Sequence, residues 1–384
     1  MSTYAIGADR FVMPAGTMNG GYLVIRDAEI GWWQPDRPDC EVREHPGKTV
    51  APGLVDTHIH GFLDHDVMDA DWDGLAEICA NLPKYGVTSW TPTTLTASTD
   101  QLTAACATIG DNYEGLPTTS ASIQGIFLEG PFFTEKFKGA QNPAYMGDPS
   151  IDTLEGWQQA AHGLITKIAI APERDGAPEF CADATAEGVA VALGHSDATY
   201  EQAARCVDAG ASVFVHTYNG MSPLHHREPG MVGAAMATKN TYAEAICDGH
   251  HLNPVAVRIL VAAKGAENVV LITDCMRAGG MPDGDYVLGE FPVYVSDGMA
   301  RLKDGDSLAG SILTLDKAVK NVVDWGIVTP EQALRMATEN PARANLIDDV
   351  CGFIRPGYAA DLSIWNPDMT LSETIISGES VYMA

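Results

Sequence analysis

Basic side chains are scarce in this chain. Lys and Arg number 23 against 51 Asp and Glu, and the formal net charge is −28. So acidic a protein offers no surface to nucleic acid or to an anionic membrane, both of which are bound through clustered cations. It is expected to be very soluble and cytoplasmic, with a solvated, self-repelling surface. No CxxC pair occurs among its eight cysteines. The scatter excludes a zinc ribbon and reads as reduced, mostly buried thiols rather than a disulfide framework. No apolar stretch approaches the ~20 residues that cross a bilayer, and the segment MSTYAIGADRF has no basic region leading into an apolar one. No GxGxxG follows the first strand-like run, which argues against a dinucleotide-binding doubly wound sheet.

What the sequence does contain is a repeating unit. A run of 384 residues, 46% of them hydrophobic, is enough for one large domain and a smaller one. Eight short apolar runs recur, each followed by a polar or glycine-rich turn and a helix-like segment. They are TVAPGLVDTHIHG, VTSWTPTTL, IQGIFLEGP, TKIAIAPE, VAVALGHSD, SVFVHTYNG, AEAICDGHH and NVVLITDCM. Near-continuous apolar strands alternating with helices mean a parallel sheet covered on both faces. Eight such units predict an α/β fold of the (β/α)8, TIM-like barrel type. The ends differ: residues 1–51 and 345–384 alternate short strands with turn signals such as RPGY and NPD. They are expected to pair into a small β-sandwich domain beside a barrel of residues 52–344.

Histidine is also rare, 11 in all, yet VDTHIHGFLDHD places three histidines and three aspartates in twelve positions. His58 and His60 are two apart on a strand and so share a face. Glu129 ends the third run, His195 the fifth, His216 the sixth and Asp274 the eighth. Barrel enzymes build their sites at that face, and six metal-competent side chains meet there from five strands. Two or three histidines with a carboxylate and an open position is the arrangement of a catalytic metal site. The set suits zinc, iron or manganese, as one ion or as two bridged by Glu129. Taken singly, each residue has a plainer reading: a strand-end hydrogen bond for HxH, a helix cap for Glu129 or Asp274, a turn for His195.

The motifs APGLVDTHIHG, LEGPF with KGAQNP, LGHSDA, HTYNGMSPLHHREPG, DGHH, ITDCM and LAGS run in order along nearly the whole chain. In them the chain resembles the amidohydrolase superfamily, and within it the branch that deacetylates N-acetylglucosamine 6-phosphate. The resemblance implies that Glu129, His195 and His216 hold the metal common to that branch, that His58 and His60 hold a second one where it occurs, and that Asp274 is the acid/base. It implies substrate contacts at Ala140, Gln141, Asn219, Gly220, Arg227, Asp248, His251, Leu308, Ala309 and Gly310, and a homodimer. Some relatives have histidine where Gln141 stands and alanine where Gly220 stands. The chemistry is coherent: a divalent metal, zinc foremost, activates water and polarises the amide, and a carboxylate moves the proton. His251, after the seventh strand, is placed to hydrogen-bond the carbonyl oxygen. In so acidic a chain the cluster His225, His226 and Arg227 suits a phosphate, which an arginine fork grips with two bonds.

The rival reading is a cyclic-amide amidohydrolase of the dihydroorotase or hydantoinase type. Those enzymes bridge their metals with a modified lysine at the end of the fourth strand, whereas Lys167 stands at the beginning of TKIAIAPE. An adenosine-deaminase-like reading leaves LHHREPG unused, and a scaffold without activity should have lost one of the six residues. Four further readings are plain: His65 solvated in its loop, His250 structural, Cys275 in the core, and Trp32 and Trp33 packing the small domain.

Overall fold

The structure, a computed structural model, describes residues 3–305 and 307–384. Its centre is a barrel of eight parallel strands in the order the sequence predicts. They are Leu54–Ile59, Val87–Thr94, Ile126–Glu129 (with Ser122–Ile123 just before it), Ile165–Ile170, Ala190–Leu193, Val213–Phe214, Tyr242–Ile246 and Val269–Ile272. The ring closes where the amide of Asp274 donates to His58 O at 2.8 Å and that of His60 donates to Cys275 O at 2.8 Å. Each strand is followed by a helix. Trp72–Asn81, Thr99–Asn112, Ile151–Ala160, Ala177–Ala186, Tyr200–Asp208, Gly230–Ala237, Pro254–Lys264 and Leu315–Asp324 form the outer ring. Capping boxes written into the sequence start two of these helices: Ser98 with Gln101, and Thr199 with Gln202. The first two barrel strands are buried at every position, as strands covered on both faces must be. No described helix is long and apolar enough to cross a membrane.

The termini form a second sheet. Four of the five strands between Thr3 and Pro52 join Leu362–Trp365, Leu371–Ile376 and Glu379–Met383 in one hydrogen-bonded path, and the fifth, Gly16–Asn19, pairs with the first strand beside it. Flat, such a path would put Ile25 and Gly378 about four strand spacings apart, roughly 19 Å. Instead a Cβ built at Gly378 would lie 3.2 Å from Ile25. The sheet therefore curls into two layers over one core that holds Ile6, Phe11, Leu23, Ile25, Leu362 and Ile375 together. A bridge between Glu29 and Ala359 stitches its far edge. Trp33 packs against this core, but Trp32 does not pack as predicted: it is 43% exposed, its indole N–H donating to Gln34. The sequence reading also missed a three-stranded antiparallel sheet after the eighth barrel strand, Gly284–Leu288, Phe291–Ser296 and Met299–Leu302. It roofs the mouth of the barrel.

Candidate metal centre

Four imidazoles converge at the C-terminal end of the barrel, and each is anchored from behind. His60 Nδ1 lies 3.2 Å from Thr93 O, His195 Nδ1 2.9 Å from Phe137 O, and His216 Nδ1 3.1 Å from Asn219 O. His58 Nδ1 lies 3.0 Å from the Glu244 carboxylate. A carbonyl or carboxylate oxygen only accepts, so each ring carries its proton on Nδ1 and turns Nε2 inward. There the four Nε2 atoms surround Glu129, at 3.0 Å from His216, 3.2 Å from His195, 3.4 Å from His60 and 3.5 Å from His58. Asp274 Oδ1 stands 3.2 Å from His60 Nε2 and 3.5 Å from His58 Nε2. His195 Nε2 and His216 Nε2 face each other at 3.1 Å, and His58 Nε2 is buried without a hydrogen-bond partner. Lone pairs aimed at lone pairs and at carboxylates repel unless positive charge lies among them. Among the described residues, His58, His60 and Asp274, and His58, Glu129 and His216, bring ligand atoms close enough to share an ion. Neutral imidazoles held by an outer partner, with carboxylates beside them, are the donors a divalent cation takes.

The electrostatics agree. Burial would push the Glu129 carboxyl up, but His195, His216 and His60 hold it well below its usual range. Asp274 follows the same balance, with His58 and His60 outweighing burial. Burial would pull His216 down, and Glu129 and Asp274 instead push it up to about 9. The cluster therefore draws positive charge, as protons or as a cation between the rings. Its backbone is unusual as well. His195, His216 and Asp274 have φ of 44°, 25° and 50°, in the left-handed region that side chains avoid. Each sits where the chain leaves a strand and turns across the barrel mouth, and such conformations gather at functional sites.

Behind the rings lies support the sequence reading did not identify. Lys167, fully buried, donates to Glu244 Oε1 at 2.6 Å and to Thr57 O at 2.9 Å. Burial would raise Glu244, but Lys167 and His58 hold it down to about 2. With its ammonium so committed, Lys167 is no free bridging ligand. The Gln141 side chain is also occupied: Nε2 donates to Glu129 Oε2 at 2.5 Å and Oε1 accepts from the Thr96 amide at 2.8 Å. Asp56 accepts from Thr273 Oγ1 at 2.6 Å and ties the first strand to the eighth. The sequence signal was present. A lone Lys in TKIAIAPE and a lone Glu in AEAICDGHH are charges inside buried strands, and buried charges need each other.

A cavity of about 610 Å³ opens above the cluster. His60, Glu129, His195, His216 and Asp274 line its floor, and Ala140, Gln141, Asn219, Gly220, His251, Leu308, Ala309 and Gly310 line its walls. His58 lies beneath, fully buried. Asp248 is behind the wall, its Oδ2 accepting from His251 Nδ1 at 2.6 Å, which turns His251 Nε2 toward the cavity. Neighbouring His250 is exposed. Gly220 has φ of +60°, and a Cβ there would stand 2.9 Å from His195 Nδ1. Arg227 does not line the cavity of its own chain: it is exposed, with Nη1 2.8 Å from His226 Nε2. The cations that do line it are Lys136, paired with Asp197 at 2.7 Å, and half-buried Lys138 beside the Phe291 ring. His65 pairs with Glu77 at 3.2 Å, and Cys275 is core.

A profile of the amidohydrolase family matches residues 49–381. An N-acetylgalactosamine-6-phosphate deacetylase of Escherichia coli O157:H7 is 38% identical over 98% of this chain and 99% of its own. An N-acetylglucosamine-6-phosphate deacetylase of Vibrio furnissii is 40% identical over 87% of this chain and 83% of its own. Among solved structures, a point mutant of N-acetyl-D-glucosamine-6-phosphate deacetylase from Mycobacterium smegmatis, in complex with N-acetyl-D-glucosamine-6-phosphate, superposes with a TM-score of 0.93. It is 31% identical, and the match covers 100% of both chains.

Proposed function

The chain belongs to the amidohydrolase family, and from that premise we propose that it hydrolyses N-acetylglucosamine 6-phosphate to glucosamine 6-phosphate and acetate. The observation that carries the reading is the ring of four inward Nε2 atoms around Glu129, with Asp274 beside them at the floor of a sugar-sized cavity. Glu129, His195 and His216 would hold one divalent ion, and His58 and His60 a second where two bind, with zinc the expected metal. Bound there, the metal supplies Lewis acidity, lowering the pKa of water to ~7 and polarising the amide carbonyl.

The chain's own groups do the rest. Asp274, whose carboxyl the positive charge drawn into the cluster holds below its usual range, accepts the proton of the attacking water and returns it to the departing amine. His251, fixed by Asp248, presents Nε2 to the substrate. Its place at the cavity wall puts it beside the carbonyl oxygen, where charge develops. Ala140, Gly220, Leu308, Ala309 and Gly310 give the sugar small side chains and backbone groups to lie against, with Gln141 and Asn219 beside them. Lys138 meets the phosphate from this chain. Arg227, on an exposed loop beside Leu224 (55% exposed), meets it from a second copy in a homodimer working in the cytoplasm. An obligate monomer with unchanged affinity for substrate would overturn that last step.

The test is acetate release from N-acetylglucosamine 6-phosphate, its galacto epimer and the sugar without phosphate, side by side. Fast release from the gluco phosphate is expected. Release from the galacto epimer alone would reassign the sugar, and release from none would move the substrate to another amide, the cyclic amides first.

A further inference from the structure

The four imidazoles differ in what holds them. Three rest on backbone carbonyls, which any sequence supplies, while His58 alone rests on a side chain, Glu244. Glu244 Oε2 takes His58 Nδ1 at 3.0 Å and also accepts from the His216 backbone amide at 3.3 Å. Its other oxygen takes Lys167 at 2.6 Å, and Lys167 in turn bonds Thr57 O, next to His58 in the chain. One fully buried ion pair thus braces the first, fourth, sixth and seventh barrel strands at the level just below the donors.

We propose that Glu244, held by Lys167, is a positioning residue that sets the His58 tautomer, with the proton on Nδ1 and the lone pair of Nε2 toward Glu129 and Asp274, and thereby decides whether a second ion binds at His58 and His60. The idea rests on the metal-site reading above. It follows from the inventory of donors. A carboxylate beside Nδ1 can only accept, so it forces the proton there. An amide in its place, with its oxygen kept by the Lys167 ammonium, turns its NH2 to Nδ1. The ring proton then moves to Nε2, where a metal needs a lone pair.

Two variants test this. Glu244→Gln keeps the shape and reverses the hydrogen-bond sense. The pair Lys167→Met with Glu244→Leu removes both buried charges at similar volume, an exchange that buried ion pairs generally tolerate, and leaves His58 unanchored. The readouts are zinc stoichiometry by mass spectrometry, zinc affinity by competition with a chelator, and 15N spectra of labelled histidine. Wild-type protein is expected to hold two ions. Both variants should keep the ion at Glu129, His195 and His216 and bind the second roughly 10–100-fold more weakly. In Glu244→Gln the His58 resonances should switch tautomer. Two ions bound with unchanged affinity in both variants would overturn the proposal, as would a wild-type protein that holds only one ion, or a His58 tautomer indifferent to Glu244. Acetate release separates the two readings. Wild type that releases acetate while the variants bind zinc normally refutes this inference alone. Wild type that releases none while the variants lose the second ion refutes the substrate reading alone.

Discussion

Replacing Gln141 by methionine should loosen the metal site without touching a ligand. The structure gives Gln141 two bonds, Nε2 to Glu129 Oε2 at 2.5 Å and the Thr96 amide to Oε1 at 2.8 Å, and methionine of similar volume removes both. The first is a bond to a carboxylate, worth ~1.5–3 kcal/mol, and the second leaves a buried N–H unsatisfied at ~1–3 kcal/mol. The Thr96 loss bears on the stability of the fold. The Glu129 loss bears on the metal, because the carboxylate that four imidazoles face is no longer held in its plane. Outer partners of metal ligands typically contribute 10–100-fold in affinity, which at about 1.4 kcal/mol per decade matches one charge-assisted bond. Zinc affinity should therefore fall by roughly that factor in a competition titration against a fluorescent chelator. The resemblance to known deacetylases placed Gln141 among the substrate contacts, and the same titration distinguishes the roles. Unchanged zinc affinity with a raised KM would show that Gln141 serves the sugar and does not brace Glu129.

Other consequences follow from the same geometry. Asp274→Asn should retain its metal and lose ~10²–10⁴-fold in turnover, the span of a general base; near-normal kcat at full metal content would remove Asp274 from that role. Arg227→Ala and Lys138→Ala should each lower the preference for phosphorylated over unphosphorylated sugar by ~10–100-fold, as loss of one charged hydrogen bond does, and an unchanged preference would clear that residue of phosphate binding. In the terminal sheet, burial pushes Asp361 up to about 6, from 3.8 for a free carboxyl. The folded chain then holds this proton more tightly than the unfolded one, so ionisation weakens the fold as pH rises from about 4 through 6, by ~3 kcal/mol for about two pKa units. Asp361→Asn keeps an acceptor for the Ser377 amide and cannot ionise. Its thermal stability relative to wild type should improve between pH 4.5 and pH 8, and a pH-independent difference would contradict the shift.

Much of this molecule can be read from its sequence because parallel barrel strands are buried on both faces. Runs such as VAVAL and NVVLI are then unbroken apolar stretches, and the polar residue that ends each one stands out. That is why His58, His60, Glu129, His195, His216 and Asp274 could be collected from sequence alone. The partners behind them escaped for a matching reason. Glu244 and Lys167 lie inside strands, 77 positions apart, and only the closed barrel makes them neighbours. Lys167 stands at the wrong end of its strand for a bridging ligand, and its reach to Glu244 depends on barrel closure. Only the resemblance assigns Gln141 to the sugar, and only geometry shows both ends of its amide already bonded. The arginine of LHHREPG was legible as a phosphate-binding type, but loop placement, which local pattern does not encode, puts it outside its own cavity. The roof sheet of residues 284–302 was missed because its strands alternate exposed and buried positions, as in Phe291–Ser296, and so lack the continuous apolar signal of the barrel.

The central claim is that the inward imidazoles and Glu129 hold a divalent ion without which the amide is not cleaved. It is tested most directly by acetate release from N-acetylglucosamine 6-phosphate with protein stripped by a chelator, then titrated with zinc. The account predicts loss of release on stripping and recovery in step with zinc bound. Full-rate release from protein shown to be metal-free would contradict it.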